Sequence, residues 1–478
     1  MRDSKLLVLL QKMSDKELQN LHDFIKSPYF NKKADVVQFY EYLLLVKPDW
    51  QSGNYQSVQK EVVFGQMWEG QIYHAPTLYY LMSNLLALAE QFISVEALKN
   101  DQMANYNYLL SYYNSPNLDK HFSAALREAQ IYQSQQVLDA NYYRNQFLLH
   151  QHENLYFDKQ KKHLFDGSLQ QAIDQLDVHY LALKLKYSCE MLNRQKVVLA
   201  NYELRLINEI LHYLDTHPHE DTPAVAIYAA IYRCLSNSTH EQYFEQLKQL
   251  LHHHAAKFST TEQRDMYAYL INYCIRKINQ ANSKYLHELF EIYKHLLANQ
   301  LLLDENNHLS PWTYMNIVTI GIRNQDFVWT DDFIATYKTQ IAAQFRHNAY
   351  HYNLAILRFN QQQYSATIGL LHQVVFDDVF YNTEARMLLL RTYYELNEND
   401  AFEALAVSFA TYLKRSKLVA PEKAERCLQF IKLLQRLHKL VKSDTKALNL
   451  LKKKIDTTTG LMNKTWLLDK WNEKAPKR

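Results

Sequence analysis

Residues 384–413 read EARMLLLRTYYELNENDAFEALAVSFATYL, and the order of these residues predicts a helical hairpin. Residues 384–396 form the first predicted helix, with the aromatic residue Tyr393 just before its polar end. The polar run 397–400 predicts the turn, and residues 402–413 predict the second helix. The pattern is typical of a tetratricopeptide unit, a hairpin that leaves one apolar face uncovered.

A second hairpin of the same kind lies directly upstream. Residues 352–359 predict its first helix, residues 361–364 its turn and residues 366–374 its second helix. The glycine that usually follows the first helix is missing from both hairpins. Asn397 can replace it in the later one, because asparagine tolerates the left-handed backbone conformation. We therefore describe both units as tetratricopeptide-like.

Similar frames recur towards the N-terminus, each with an aromatic or apolar anchor before a polar helix end. The six anchors are Tyr187, Tyr232, Tyr273, Ile320, Phe359 and Tyr393. Their spacings of 45, 41, 47, 39 and 34 residues bracket the periods of tetratricopeptide units and of HEAT or armadillo units. Each hairpin needs the next one to cover its apolar face. The spacing therefore predicts a helix-pair solenoid, a tetratricopeptide- or HEAT-like superhelix.

Composition favours the same all-α class over the full 478 residues. The chain has only 7 Gly and 9 Pro, too few for the turns of strand-rich folds or for the βα loops of α/β folds. We expect about twenty helices, and short connections make consecutive helices antiparallel. Predicted helix starts lie at Ser14 with Glu17, Asn31, Thr222-Pro223, Ser259 with Glu262, Ser310-Pro311 and Pro421-Glu422.

We expect three regions along the chain: an N-terminal helical region over 1–110, an α-solenoid over 111–442 with tetratricopeptide-like units near 350–415, and a basic C-terminal helical tail over 443–478. The apolar run at residues 6–10 is too short for a secretory signal. No stretch approaches the roughly 20 uninterrupted apolar residues of a membrane-spanning helix. The sequence therefore predicts a cytoplasmic protein with no membrane partner.

The four cysteines also indicate a reducing compartment. Cys189, Cys234, Cys274 and Cys427 form no Cys-x-x-Cys pair and no spacing typical of a zinc site. The first three lie at matching places in the repeat. We expect them to be small, buried, unpaired hydrophobic residues.

Several short stretches of the chain form a familiar set: 24–32, 60–64, 81–86, 142–143, 393–396, 408–409, 412–413 and 466–470. Together they resemble a family of long bacterial all-helical proteins to which no activity has been assigned. The resemblance covers nearly the whole chain. It implies a bacterial, cytosolic helical-repeat protein and supplies no site residue.

Catalytic and metal-binding signatures are missing from the sequence. It has no Gly-x-Ser-x-Gly, Gly-x-Gly-x-x-Gly or His-Glu-x-x-His motif. His287, Glu291 and His295 share one helix face, but the outer pair would lie about 12 Å apart, too far for one ion. His347 and His351 could share an ion, yet no third ligand is apparent. We expect a protein that is not an enzyme and has no cofactor.

The 36 tyrosines suggest a role in binding, because tyrosine combines a large apolar ring with a hydroxyl group and little rotamer entropy. Most should fill helix interfaces. A minority could contact a peptide in the concave groove, which the first helix of each unit lines. Counting from the last two anchors predicts six groove residues: Tyr350, Asn353, Asn360, Glu384, Arg391 and Tyr394. The leading hypothesis is therefore a scaffold that binds a protein or peptide.

An alternative hypothesis comes from charge. The formal net charge is +3, but residues 411–478 carry 18 Lys or Arg against 6 Asp or Glu, which leaves −9 for residues 1–410. The basic end could bind nucleic acid or a ribosome. The predicted phosphate-contacting residues are Lys432, Arg436, Lys439, Lys452, Lys453 and Lys454, together with Lys414, Arg415, Lys417 and Lys442.

One stretch of this basic end is also expected to cap the solenoid. Over residues 420–442, apolar residues recur at three- and four-residue spacing and predict one buried helix face. They are Cys427, Phe430, Ile431, Leu434, Leu437 and Val441. Lys432, Arg436 and Lys439 lie away from that face. We expect them to be exposed to solvent.

Overall fold

The computed structural model describes residues 1–115, 117–159, 165–197, 201–219, 221–237, 240–375, 379–441 and 444–475. Within these ranges the chain forms 24 α-helices and two single turns of 3-10 helix. The same ranges contain no strand, only one isolated bridge between Leu303 and Leu309. The all-α prediction is confirmed, with a few more helices than the twenty expected.

The chain divides into two compact units, Met1–Lys186 and Tyr187–Arg478. The helices of the first unit are α1 (Lys5–Leu10), α2 (Asp15–Lys26), α3 (Ala34–Leu45), α4 (Lys47–Gln51), α5 (Lys60–Met67), α6 (Ala75–Asn100), α7 (Gln102–Tyr113), α8 (Asp119–Ser134), α9 (Ala140–Lys159) and the first part of α10 (Ser168–Val197).

Local capping signals set the ends of the early helices. The Ser14 hydroxyl accepts from the Glu17 backbone N–H, and the Glu17 carboxylate accepts from the Ser14 N–H, so the predicted capping box is confirmed. The prediction that Asn31 starts a helix is wrong. Lys33 is the N-cap of α3. The Asn31 amide instead donates to Ile25 O and Lys33 O, and these bonds stabilise the turn between α2 and α3.

Two clusters of buried apolar side chains lie within the described part of the first unit. One gathers residues from Leu6 to Phe92, on the first six helices and at Val58 between α4 and α5. The other joins Met103 and Leu110 on α7 to Phe122 on α8 and Leu149 on α9.

Among the described residues, α6 is the one helix long and apolar enough to cross a membrane. Thr77, Ser83, Asn84 and Glu90 interrupt its apolar residues. Its buried side chains belong to the first of the two clusters, and α6 contacts α1, α2, α3 and α5. Six of its side chains are buried there, while others, among them Tyr80 and Ile93, are exposed.

The second unit begins with the last part of α10. Its other helices are α11 (Ile207–Thr216), α12 (Pro223–Ser236), α13 (Glu241–His254), α14 (Thr260–Asn279), α15 (Lys284–Ala298), α16 (Pro311–Arg323), α17 (Phe327–Tyr337), α18 (Ala343–Asn360), α19 (Tyr364–Leu371), α20 (Val379–Leu396), α21 (Asn399–Arg415), α22 (Pro421–Lys439), α23 (Thr445–Thr457) and α24 (Lys464–Lys474). As predicted, Pro223, Pro311 and Pro421 each occupy a first-turn position.

Four successive hairpins of this unit end their first helix in the same way. A residue with positive φ follows α14, α16, α18 and α20, namely Ala281, Gln325, Gln362 and Asn397. In each case the next backbone N–H donates to a carbonyl five residues earlier, which is the Schellman arrangement. These bonds are Asn282 N to Lys277 O, Asp326 N to Gly321 O, Gln363 N to Arg358 O and Glu398 N to Tyr393 O. The left-handed conformation expected at Asn397 is confirmed.

First helices also contact one another across hairpins. Helix α12 packs on α14, α16 on α18, and α18 on α20. Ser259 caps α14 as expected, but the Glu262 carboxylate accepts a 2.6 Å hydrogen bond from the buried Tyr228 hydroxyl of α12. Between α16 and α17 the approach is so close that a Cβ at Gly321 would collide with Thr330.

The predicted anchors divide by their burial. The buried anchors are Tyr232, Tyr273, Ile320 and Phe359. Tyr393 is half-buried, while Tyr187 is 56% exposed. Leu185 and Cys189 hold the buried face of α10, and Tyr187, two residues from each, lies on the opposite side of the helix.

All four cysteines are buried free thiols, as expected. They lie on α10, α12, α14 and α22. Burial raises the pKa of Cys234 and of Cys274 to about 12. These thiols therefore stay protonated at neutral pH and pack as small apolar side chains.

The C-terminal end differs from the predicted cap. Helix α22 buries the expected stripe, but α22 is followed by α23 and α24, which belong to the same core cluster. The prediction for Val441 is wrong: α22 ends at Lys439, so Val441 leaves the helical stripe and is 63% exposed. The Lys474 ammonium group instead closes α22, donating to Leu437 O, His438 O and Leu440 O at 2.9 to 3.1 Å.

Candidate functional site

The three predicted groove residues of α18 have different surroundings. Tyr350 is half-buried, with the Lys338 ammonium group 5.0 Å from its ring centre. Asn353 has no exposed surface and donates from Nδ2 to Ala349 O, while its Oδ1 has no partner. Asn360 is exposed, and its amide bonds Ile356 O within the same helix. Of the two asparagines, only Asn360 can contact a ligand at the surface.

The predicted residues of α20 contact other parts of the second unit. Glu384 forms a 2.9 Å ion pair with Lys423 of α22. Tyr394 is 9% exposed, and its ring packs edge-on against Phe402 and Trp466. Both side chains therefore hold neighbouring helices against α20.

Arg391 is the most enclosed charged residue of the predicted six. Its guanidinium lies 4.4 Å from the ring centre of Phe359 and 5.0 Å from that of Trp466. One nitrogen donates to Asn463 Oδ1 at 3.2 Å, while the buried Nε has no partner. Burial lowers the pKa of Arg391 to about 10. The cation is thus held by two aromatic faces between α18, α20 and α24.

The structure does not assemble the six residues into one polar surface. In the described part of the chain, no hydrogen bond or ion pair joins any two of them. Most of their polar groups are engaged by the protein itself. The sequence pattern located the helices that carry these residues but not the exposure of each position.

The basic residues of the alternative hypothesis are accessible. Lys432, Arg436 and Lys439 on α22 are exposed, which confirms the orientation expected for them. Lys439 also lies 3.5 Å from the Glu403 carboxylate of α21.

The three consecutive lysines of α23 are exposed as well. The Lys452 ammonium group lies 4.8 Å from the ring centre of Trp471, while Lys453 and Lys454 turn towards α22. Of the other predicted cations, Lys414, Arg415 and Lys417 are exposed, and Lys442 lies outside the described residues.

Four of these cations line a groove of about 710 Å³ between α22 and α23, here called the α22–α23 groove. Its lining residues are Arg436, Lys439, Leu440, Ala447, Leu450, Leu451, Lys453, Lys454 and Thr457. Leu450 is 72% exposed, whereas Leu451 is buried. The groove thus combines apolar side chains with four cations.

The sequence reasoning missed the five uncharged residues of this site: Leu440, Ala447, Leu450, Leu451 and Thr457. A signal was present, because α23 places Ala447, Leu450, Leu451 and Lys454 at three- and four-residue spacing. Its core, however, needs only Leu448, Leu451 and Ile455. The apolar face of α23 is therefore wider than the core covers.

A second groove, of about 430 Å³, lies between α13, α14 and α15. It brings His287, Glu291 and His295 together with His252 and His253. His295 Nε2 lies 2.9 Å from the Tyr267 hydroxyl, and burial, with the nearby His252, lowers the pKa of His295.

A metal site would need several ligand atoms converging on one point. Over the described ranges, no group of three His, Cys, Asp or Glu side chains could hold a metal ion. His347 and His351 have ring centres 4.4 Å apart, but His347 Nε2 contacts Gln373 O and His351 Nδ1 contacts His347 O. Both histidines are thus bound to backbone carbonyls.

Comparisons with protein-family models, curated proteins and solved structures found no match to this chain. The resemblance to a bacterial helical family stays a prediction.

Proposed function

We propose that this protein is a non-catalytic helical-repeat scaffold that binds another protein in the α22–α23 groove. The composition of the groove carries the proposal: leucine and alanine side chains line it together with the four cations Arg436, Lys439, Lys453 and Lys454. Protein interfaces combine an apolar centre with a polar, solvated rim. Leu450 gains most from such a partner, because it is 72% exposed.

The repeat architecture is part of the proposal. The positive-φ residues that end α14, α16, α18 and α20 are 44, 37 and 35 residues apart. These distances resemble the periods of tetratricopeptide and HEAT units. Contacts of α16 with α18 and of α18 with α20 support a stack of hairpins, each covering its neighbour. A scaffold of this kind offers long exposed faces to partners.

A photocrosslinking experiment tests the proposal. The photoreactive residue p-benzoylphenylalanine replaces Leu450 in one variant and Val328 in another, since Val328 of α17 is 77% exposed but outside the groove. We expect one protein to be crosslinked from position 450 and not from position 328. The purified partner should then bind the native chain at least tenfold more tightly than it binds Leu450→Asp.

Two outcomes would overturn the proposal. Equal crosslinking from positions 450 and 328 would mean that the groove binds no partner specifically. Equal affinity of the partner for the native chain and for Leu450→Asp would place its binding site elsewhere.

A second candidate function is nucleic-acid or ribosome binding. The exposed Lys432, Arg436 and Lys439 of α22 and the three lysines of α23 favour it. Binding to phosphates weakens steeply between about 50 and 200 mM salt, because counterions are released. A triple charge reversal at Lys432, Arg436 and Lys439 should then flatten the slope of log affinity against log salt by nearly three, at about 0.9 per phosphate contact. An unchanged slope would count against this candidate.

A further inference from the structure

We infer that the segment bound in the α22–α23 groove is an acidic, amphipathic α-helix of the partner protein. This inference rests on the proposed function and names the chemistry of the partner. It follows from the charge of the groove, its length and the state of its backbone groups.

Charge selects an acidic segment. Four of the nine lining residues are Lys or Arg, and none is Asp or Glu. Lys439 lies 3.5 Å from the carboxylate of Glu403, which does not line the groove. None of the four cations therefore has an acidic neighbour in the lining. A segment with carboxylates on its flanks would pair with them, while a basic segment would be repelled.

The length of the groove suits about three helical turns. On α23 the lining extends from Ala447 to Thr457. Ten residues of helix rise about 15 Å. A bound helix of 10 or 11 residues has the same length and would place two or three apolar side chains over Leu440, Ala447 and Leu450. Helix-in-groove recognition uses apolar anchors at this spacing.

The backbone groups of the groove favour a helix over an extended peptide. Extended peptides gain affinity from main-chain hydrogen bonds to their receptor. In the groove, Ala447 N–H donates to the Asp444 side chain and Leu440 N–H donates to Arg436 O, and Lys474 donates to carbonyls at the end of α22. A helical segment satisfies its own backbone, so it needs side-chain contacts alone.

The groove suits nucleic acid less well. Single-stranded RNA and DNA are bound by stacking bases on aromatic side chains, and the lining contains no aromatic residue. Trp471, the nearest indole on α24, is 8% exposed and lies beneath Lys452. Phosphates would contact the lysines but would leave Leu450 uncovered.

Fluorescence anisotropy with labelled 14-residue peptides tests the inference on the full chain. The first peptide carries Leu at i, i+3, i+4, i+7 and i+11 with Glu on both flanks. The second has the same composition in an order that breaks this spacing, and the third replaces each Glu with Lys. We expect the first peptide to bind at least tenfold more tightly than the second, and the third not to bind.

Charge-reversed variants locate the binding. Lys453→Glu with Lys454→Glu should weaken binding of the first peptide at least tenfold, and Leu450→Asp should do the same. Lys432→Glu with Lys446→Glu makes the same change in net charge at exposed positions outside the lining. This control should alter affinity less than threefold. Circular dichroism melts should show that all variants remain folded.

Each contrary result has one meaning. Equal losses in the two double variants, or competition by duplex RNA at equal strength, would show binding by diffuse charge and overturn the inference. Equal affinity for the first two peptides would exclude a helical ligand. If a crosslinked partner still depended on Leu450, the proposed function would stand and only the inference would fail. If neither peptide nor partner depended on Leu450, both would fail.

Discussion

Two regions of the second unit contain the residues predicted to bind partners. They differ in how far these side chains are already engaged in contacts within the protein. On α18 the buried Asn353 amide donates to Ala349 O of its own helix, and on α20 Glu384, Arg391 and Tyr394 contact neighbouring helices. On α22 and α23, the cations remain in solvent beside an open groove. Polar residues packed between helices stabilise the packing of those helices. Polar residues on a helix face that no other helix covers remain available for binding.

The cause is the number of neighbours. Helix α20 lies between α18, α19 and α21, so each of its faces meets another helix. Within the described residues, α23 packs mainly on α22 and α24, and its residues Lys446, Asn449 and Leu450 are exposed. A long polar side chain on α20 must therefore find a partner within the protein or remain buried without one.

The largest expected effect separates the two regions directly. Tyr394→Ala removes a 9%-exposed ring from between Phe402 and Trp466, and we expect it to destabilise the helices around α20 by about 3–5 kcal/mol. Leu450→Ala should change stability by less than about 0.5 kcal/mol, because Leu450 is exposed. Native-state hydrogen exchange of α20–α22 amides measures both. A neutral Tyr394→Ala variant would contradict the comparison.

The next effect concerns the hydrogen bonds that fix the end of α22 beside the groove. Lys474→Met removes a charged donor from three carbonyls at the end of α22, one of them Leu440 O at the groove. Hydrogen bonds to a charged group contribute about 1.5–3 kcal/mol, so we expect a loss in that range. Exchange should accelerate in the last turn of α22 and in α24. Unchanged exchange there would mean that α24 does not hold the groove.

A smaller, stabilising effect is expected in the turn between α18 and α19. Gln362 has φ 62°, and its side chain is exposed. Glycine adopts this conformation without the steric cost of a Cβ, which is about 1–2 kcal/mol, although it also loses more entropy on folding. We expect Gln362→Gly to raise stability by about 0.5–1 kcal/mol in urea unfolding. Destabilisation would show that the Gln362 side chain contributes to the turn.

The smallest effect depends on pH. Burial beside Phe402 and Tyr394, with the charge of Lys474, lowers the pKa of His438 below its usual 6.5. The folded chain therefore resists protonation there, and the stabilisation present above pH 6.5 is lost as the pH falls towards the lowered value. In hydrogen exchange corrected for intrinsic rates, α22 should open more readily at pH 5.5 than at pH 7. His438→Gln should weaken this dependence, and an unaltered dependence would assign it to other groups.

Much of the fold followed from the sequence, but little of the site did. The hairpin turn at Asn397, the buried cysteines and the exposed faces of α22 were predicted. Such features depend on residues within about one helical turn, or on the strong preference of charges for water. The groove residue Leu450 was missed because its exposure depends on which faces of α23 other helices cover. The same reason explains the error at Val441, which falls beyond the end of α22.

The sequence by itself determined the helical class, the proline-marked helix starts and the accumulation of positive charge at the C-terminal end. These are local properties, since capping and backbone preference act over three or four residues. Only the tertiary structure decided the role of each polar side chain. Arg391 bonds Asn463, 72 residues later, and Trp466 donates to Glu395 across 71 residues. Contacts between residues so far apart depend on the packing of whole helices, which no local pattern specifies.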